Sequence, residues 1–184
     1  MGQKYFELSK KLIDFIEKQP MYFVGTADID GRVNISPKGL DSLRVVNNKQ
    51  VVWLNLTGSG NETSVHVQRL PRMTLMFTAF DGSPMILRLY GTAKIVHKNH
   101  QKWANLYKMF NDYIGARQIF IMDIELVQTS CGMAVPLFDY KGQRDQLINS
   151  FNRRGVEGTK KYWKEKNTLS IDGKETHIID KNLK

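Results

Sequence analysis

The chain has 184 residues, of which 41% are hydrophobic and 24% charged, and its net charge is +9. This length and composition predict one folded domain, or one domain with an appendage, and exclude a disordered chain. No apolar run approaches the roughly 20 residues that cross a bilayer, and we find no signal-peptide pattern, so we expect a cytoplasmic protein without a membrane partner. The single cysteine, Cys131, excludes an internal disulfide and agrees with that location.

The first half of the chain alternates between strand patterns and turns. Apolar residues within 5–16 share one helical face, and Pro20 follows this predicted helix. The pair Asp30-Gly31 supplies the positive φ that a hairpin turn requires, and a second turn is predicted at 47–49. The strands predicted in this half are 21–27, 32–37, 43–46 and 50–56.

Further strands follow in the second half. A short amphipathic segment at 65–70 is predicted first, and a helix at 99–113 lies between the last two strands. The predicted strands are 73–80, 85–96 and 119–127. Six or seven short strands with Asp-Gly turns, interrupted by helices, are typical of a small antiparallel barrel, so the predicted fold is mainly β with flanking helices.

The composition shifts beyond Cys131 towards basic and aromatic residues. We therefore predict a barrel domain with an N-terminal helix over residues 1–130. Residues 131–184 are predicted to form a basic, helical C-terminal extension, packed on the barrel or on a partner subunit.

Within this extension, residues 142–166 are predicted to be helical with breaks at Gly155 and Gly158, and residues 168–184 to form an extended tail. Trp163 lies among lysines, where it either packs an amphipathic helix on the barrel or covers a bound ring.

The loop over residues 55–64 is rich in Gly, Ser, Thr and Asn, and it lies between a strand and the amphipathic segment. Such a loop presents backbone N–H groups and hydroxyls at a helix N-terminus, which suits a phosphate. Neither standard nucleotide signature is present, since no G-x-x-x-x-G-K-[ST] occurs and Gly58-Ser59-Gly60 is not followed by x-x-Gly. The alternative is a connecting loop whose Ser and Asn only cap the helix.

Four segments in a fixed order carry a family resemblance: residues 25–39, 53–63, 70–77 and 87–93. With them, the chain resembles the pyridoxamine 5′-phosphate oxidase-related, FMN-binding split-barrel family over about residues 5–130. The run 128–136 is similar to one subgroup of that family. The resemblance implies an antiparallel six-stranded split β-barrel that forms a homodimer, with one FMN in each of two clefts at the subunit interface.

The resemblance also implies where FMN would bind. It places Ser36 and Lys38 on the strand after the first hairpin, and Asn55 on the strand that enters the loop. The Ser-Arg-Lys-like triplet of the oxidase itself is replaced here by residues 61–63, so both loop cations are lost. Backbone N–H groups, hydroxyls and Lys38, or a basic residue of the partner subunit, would then hold the phosphate.

Ser59 and Cys131 are two further candidate cofactor-binding residues, selected for their positions in the sequence. Ser59 contributes an N–H group and a hydroxyl to the loop, and Cys131 ends a strand where a thiol could lie beside a flavin. The alternative for Cys131 is a simply buried cysteine. The predicted cofactor-binding residues are Ser36, Lys38, Asn55, Ser59, Asn61, Glu62, Thr63 and Cys131.

The function predicted from these features is an FMN-dependent oxidoreductase acting on an unknown small-molecule redox substrate, with no assignable catalytic residue. The alternative is a flavin carrier or redox sensor without turnover. A basic barrel that binds single-stranded nucleic acid is a third hypothesis, but the scattered charge argues against a nucleic-acid partner. His97 and His100 have the spacing of a metal pair but no third ligand, so no metal site is predicted.

Overall fold

The computed structural model describes residues 2–183, and Met1 and Lys184 lie outside this range. Eight strands and five helices follow one another along it. Their bounds in chain order are β1 (Lys4–Tyr5), α1 (Lys10–Lys18), β2 (Tyr22–Thr26), β3 (Asn34–Lys38), β4 (Leu43–Asn47), β5 (Gln50–Leu56), α2 (Glu62–Arg69), β6 (Arg72–Thr78), β7 (Ile86–His97), α3 (Trp103–Tyr107), β8 (Ala116–Ser130), α4 (Gln146–Lys166) and α5 (Ile178–Asn182).

The strands form one antiparallel sheet in the order β3-β2-β6-β7-β8-β5-β4, and β1 pairs with β8. The edge strands of this order are β3 and β4. The predicted fold, a mainly antiparallel split barrel with flanking helices, is confirmed. The sheet has eight strands rather than six or seven, because β1 has only two residues and gives no periodic pattern in the sequence.

The core follows from alternation along the long strands. In β7, Leu87, Leu89 and Ala93 are buried, and the alternate residues Arg88 and Tyr90 are more accessible, because successive side chains of a strand point to opposite faces. On the neighbouring strands, Leu75 and Phe120 are also fully buried. This apolar interior makes the sheet a rigid support for loops at its ends.

Three predictions about helical segments need correction. The helix expected at 99–113 contains only Trp103–Tyr107, because residues on both sides form turns and the hydroxyl of Tyr107 receives the N–H of Tyr113 at 2.6 Å. The tail expected to be extended contains α5 and an isolated bridge between Leu169 and Glu175. The predicted break at Gly155 is confirmed, since its φ of 65° interrupts α4, whereas the break predicted at Gly158 is wrong, because Gly158 has helical backbone.

A buried ion-pair cluster holds this tail against the first hairpin. The carboxylate of Asp28 is fully buried and lies 2.6 Å from Arg69 Nε and 2.7 Å from Lys174 Nζ. Burial alone would raise the pKa of Asp28, but hydrogen bonds from Lys174 and Arg69 hold that pKa below its ordinary value. The C-terminal segment therefore has a fixed position beside α2. Within residues 2–183, no helix combines the length and apolarity that a membrane span would need.

Candidate functional site

A polar cavity of about 310 Å³ lies between the edge strand β3, the end of β5 and the start of α2. It contains seven of the eight predicted cofactor-binding residues, all except Cys131. Its lining residues are Asn34, Ser36, Lys38, Trp53, Asn55, Leu56, Gly58, Ser59, Gly60, Asn61, Glu62, Thr63 and Arg117. The folded chain thus brings together three segments that are separate in the sequence.

The strand β3 contributes one face to this cavity. Asn34, Ser36 and Lys38 are half-buried and line it, and the alternate residues Ile35 and Pro37 are exposed, as the two-residue period of a strand requires. The ammonium of Lys38 lies 5.2 Å from the ring centroid of Trp53. Burial, together with the positive charge of Arg117, lowers the pKa of Lys38 to about 8.

The loop between β5 and α2 is fixed at its first residue. The N–H and the hydroxyl of Thr57 both donate to the carbonyl of Gly115 at 2.8 Å, and the indole of Trp163 donates to the Thr57 hydroxyl at 2.8 Å. The N-cap of α2 is Asn61, but its side chain makes no capping hydrogen bond. The alternative in which Asn61 serves only as a helix cap therefore does not match the structure.

Unpartnered polar atoms concentrate at this cavity. Eight buried side-chain atoms in residues 2–183 have no hydrogen-bond partner, and five of them belong to lining residues of this cavity. These five are Ser36 Oγ, Asn61 Nδ2, Asn61 Oδ1, Glu62 Oε2 and Arg117 Nε. Because buried polar groups are nearly always hydrogen-bonded, a cluster of unpartnered groups indicates a site for a polar ligand.

Arg117 is a candidate site residue that the sequence did not reveal. Asn55 pairs with Gln118 and Leu56 pairs with Ala116, so Arg117 is the extra residue of a β-bulge, a feature that redirects a side chain. Its Nη1 donates to the carbonyl of Gly60 at 3.0 Å. The sequence signal that could have identified Arg117 was its position as an isolated arginine at the start of the apolar strand β8.

The carboxylate of Glu62 partly balances the charge of Arg117. Burial lowers the pKa of Arg117 to about 10, and the carboxylate of Glu62 acts in the opposite direction. The cavity therefore contains two cations, Arg117 and Lys38, and one carboxylate. This arrangement suits an anionic ligand more than a neutral or cationic one.

Two other predicted residues have defined partners. Asn55 is buried, and with its amide oriented to satisfy both of its polar atoms, Oδ1 accepts from Arg117 Nη2 at 3.1 Å and Nδ2 donates to the carbonyl of Leu56 at 3.1 Å. The hydroxyl oxygen of Thr63 accepts a hydrogen bond from Asn34 Nδ2 at 3.2 Å. Since the Thr63 oxygen is the acceptor in that contact, its own hydrogen remains able to donate to a ligand.

Cys131 does not lie with the other seven. It follows directly after β8, is exposed, and is absent from the cavity lining. The proximity of this thiol to a cofactor stays a prediction.

A larger cavity of about 720 Å³ adjoins the polar one, and both are lined by Lys38, Trp53 and Asn55. Its additional walls come from residues 20–21 before β2, the end of β3, Leu54, Phe80 and the segment 138–147, and they are largely apolar. The apolar side chains among them are Pro20, Met21, Pro37, Leu40, Leu54, Phe80, Phe138 and Leu147. Together the two cavities offer a polar end and an apolar end.

Comparison with known proteins identifies the family. Residues 8–131 match the family model described as pyridoxamine 5′-phosphate oxidase. The chain belongs to this family. A curated relative, the "pyridoxamine 5′-phosphate oxidase family protein ustO" of Aspergillus flavus, is 41% identical over 140 residues, which is 73% of this chain. The matched part spans 56% of that longer relative.

Solved structures show the same fold at low sequence identity. HupZ of Group A Streptococcus is 20% identical with a TM-score of 0.52, covering 65% of this chain and 91% of its own. A Clostridium acetobutylicum protein related to general stress protein 26, of the pyridoxinephosphate oxidase family, is 17% identical with a TM-score of 0.53. That match covers 76% of this chain and 99% of the Clostridium protein.

Proposed function

We propose that this chain is an FMN-dependent oxidoreductase whose polar cavity binds the phosphate of FMN. The observation that carries the proposal is the cluster of five unpartnered polar atoms, which shares one cavity with Lys38 and Arg117. Membership of the pyridoxamine 5′-phosphate oxidase family supports a phosphorylated ligand.

The residues present fit a phosphate although the loop carries no cation. The start of α2 offers the N–H groups of Glu62 and Thr63, which have no partner within the helix because they belong to its first turn. The hydroxyl of Thr63 and the side chains of Lys38 and Arg117 complete the donor set. Arg117 replaces from β8 the positive charge that the loop lacks.

The adjoining apolar cavity fits the flavin ring. It shares Lys38 and Trp53 with the polar cavity, so one ligand could occupy both. The indole of Trp53 stacks on Phe120 with ring centroids 4.8 Å apart, which fixes this wall. FMN, when bound, would supply the acceptor for a hydride or electrons, while the chain would orient the ring, place a cation near it and exclude water.

We also propose that the protein is a homodimer. The edge strand β3 and the turn before it expose apolar side chains: Ile29, Val33 and Ile35 are 75%, 69% and 70% accessible. Exposed apolar groups close together on an edge strand mark interaction surfaces. A second copy of the chain would cover them and border the nearby cavity.

We expect a non-covalent flavin to co-elute with the dimer. In size-exclusion chromatography with light scattering, the peak should have twice the mass of the chain and absorb in the flavin region. Acid should release a compound that co-migrates with FMN rather than FAD. A colourless protein that fails to bind added FMN at micromolar concentration would refute the flavin proposal. Turnover with NADH or NADPH would separate an oxidoreductase from a carrier.

The pKa of Lys38 predicts how FMN affinity depends on pH. Because this pKa is about 8, the ammonium is charged at pH 7 and is lost as the pH rises through 8. The phosphate stays dianionic over this range, since its second pKa is about 6. FMN affinity should therefore be constant between about pH 7 and the pKa of Lys38 and fall by up to about tenfold per pH unit above that pKa. Fluorescence titration measures this slope.

Two comparisons control the pH experiment. Lys38→Met should bind FMN more weakly and show no such slope, because the titrating group is gone. Riboflavin, which has no phosphate, should show no slope with the wild-type protein. If riboflavin shows the same slope as FMN, Lys38 lies beside the ring instead of the phosphate.

A further inference from the structure

The loop that borders the polar cavity has its carbonyl groups bound by residues distant in the chain. Asn167 Nδ2 donates to the carbonyls of Gly58 and Ser59 at 3.0 and 3.2 Å. Arg117 Nη1 donates to the next carbonyl, that of Gly60, at 3.0 Å. Three successive peptide groups are thereby held by two side chains.

This arrangement fixes where the loop's N–H groups point. In a trans peptide the C=O and the following N–H point in opposite directions, and the described chain has no cis bond. Since the carbonyls of residues 58–60 face Asn167 and Arg117, the N–H groups of Ser59, Gly60 and Asn61 face away from those partners. They adjoin the N–H groups that α2 leaves unpaired at its start.

Asn167 is itself held rigidly. It is fully buried, and its N–H bonds to the carbonyl of Trp163 at the end of α4. The carbonyl of Asn167 accepts from the hydroxyl of Thr176, whose own carbonyl accepts from Gln68 on α2 at 3.1 Å. The C-terminal segment is thus connected both to the loop and to the helix that follows it.

We propose that Asn167 is a positioning residue for anion binding, through which the C-terminal extension aims the loop's N–H groups at the ligand. Asn167 lies outside the part of the chain that matches the family model, residues 8–131. The extension is therefore a component of the binding site. The role of Asn167 in FMN binding rests on the proposed function, whereas its role in orienting the loop's N–H groups does not.

The test replaces Asn167 with leucine, which has a similar size but no donor and no charge. We expect FMN affinity to fall by about tenfold or more, because two hydrogen bonds and the loop's preorganisation are lost. Riboflavin affinity should change by less than about threefold. Asn152→Leu, on an exposed part of α4, is the matched control and should leave both affinities unchanged.

A second measurement does not depend on FMN. Amide ¹⁵N order parameters of Ser59 and Gly60, whose peptide groups Asn167 holds, should be near about 0.85 in the wild-type protein and below about 0.6 in Asn167→Leu. The order parameters of Asn61, whose peptide group Arg117 holds, and of α2 should be unchanged. Unchanged order parameters at Ser59 and Gly60 would overturn the inference, and so would equal losses of FMN and riboflavin affinity.

The remaining outcomes are also decisive. If the wild-type protein binds no FMN, the proposed function fails, and a titration with inorganic phosphate decides the inference: the loop amide shifts should respond in wild type and not in Asn167→Leu. If Asn167→Leu does not fold, Asn167→Ala removes the same donor without adding a bulky apolar side chain. It should give the same pattern, and an unaltered loop would overturn the inference.

Discussion

Replacing Arg117 with methionine should lower FMN affinity by roughly 100-fold, because a charge-assisted hydrogen bond contributes about 1.5–3 kcal/mol. The substitution also leaves the carboxylate of Glu62 in the cavity without its neighbouring cation. Titration of the apoprotein with FMN and, in parallel, with riboflavin measures the effect. The loss should be much smaller for riboflavin, since it lacks the phosphate that the guanidinium would meet.

The double variant Arg117→Met/Glu62→Gln separates charge from packing. It removes both charges, so it should bind FMN more tightly than Arg117→Met alone, although more weakly than the wild-type protein. Arg72→Met, which removes an exposed arginine from β6, is the matched control for net charge and should have little effect. Equal FMN affinity in Arg117→Met and the wild-type protein would show that the phosphate does not contact Arg117.

The fold was predictable because its signals are local. Alternating apolar residues and Asp-Gly turns mark the longer strands, and each signal lies within a few residues of the element it describes. The strand β1 gave no signal because it has two residues and depends on pairing with residues 127 and 128. The tail was mispredicted because its turns and α5 form against the barrel and carry no strong periodicity of their own.

The difference between local signals and contacts of distant residues also explains which residues of the candidate site could be predicted. Ser36, Lys38 and Asn55 lie on short strands whose motifs can be recognised in sequence, and the loop follows Asn55 directly. Arg117 was missed because its orientation depends on a bulge in the pairing of β5 with β8, which joins residues about 60 positions apart. Asn167 was missed because nothing in the sequence indicates which carbonyls a distant amide will meet.

Thr63 provides the sharpest test of where the phosphate lies. Its hydroxyl oxygen is occupied by Asn34 Nδ2, so its hydrogen is free to donate to a ligand. Thr63→Ala removes that donor and should weaken FMN binding by about 10- to 150-fold, the equivalent of 1.5–3 kcal/mol for a bond to a charged group. Thr63→Ser keeps the hydroxyl and should bind FMN nearly as well as the wild-type protein.

Thr63→Glu should be worse than Thr63→Ala, because it places a carboxylate beside a phosphate dianion. Position 63 is in the first turn of α2, where a negative charge favours the helix through its dipole. Weaker binding would therefore not be explained by a weakened helix, and circular dichroism of the apoprotein would verify that α2 and the sheet remain folded. If Thr63→Glu binds FMN as tightly as the wild-type protein, the phosphate lies elsewhere, and the assignment of this cavity is wrong.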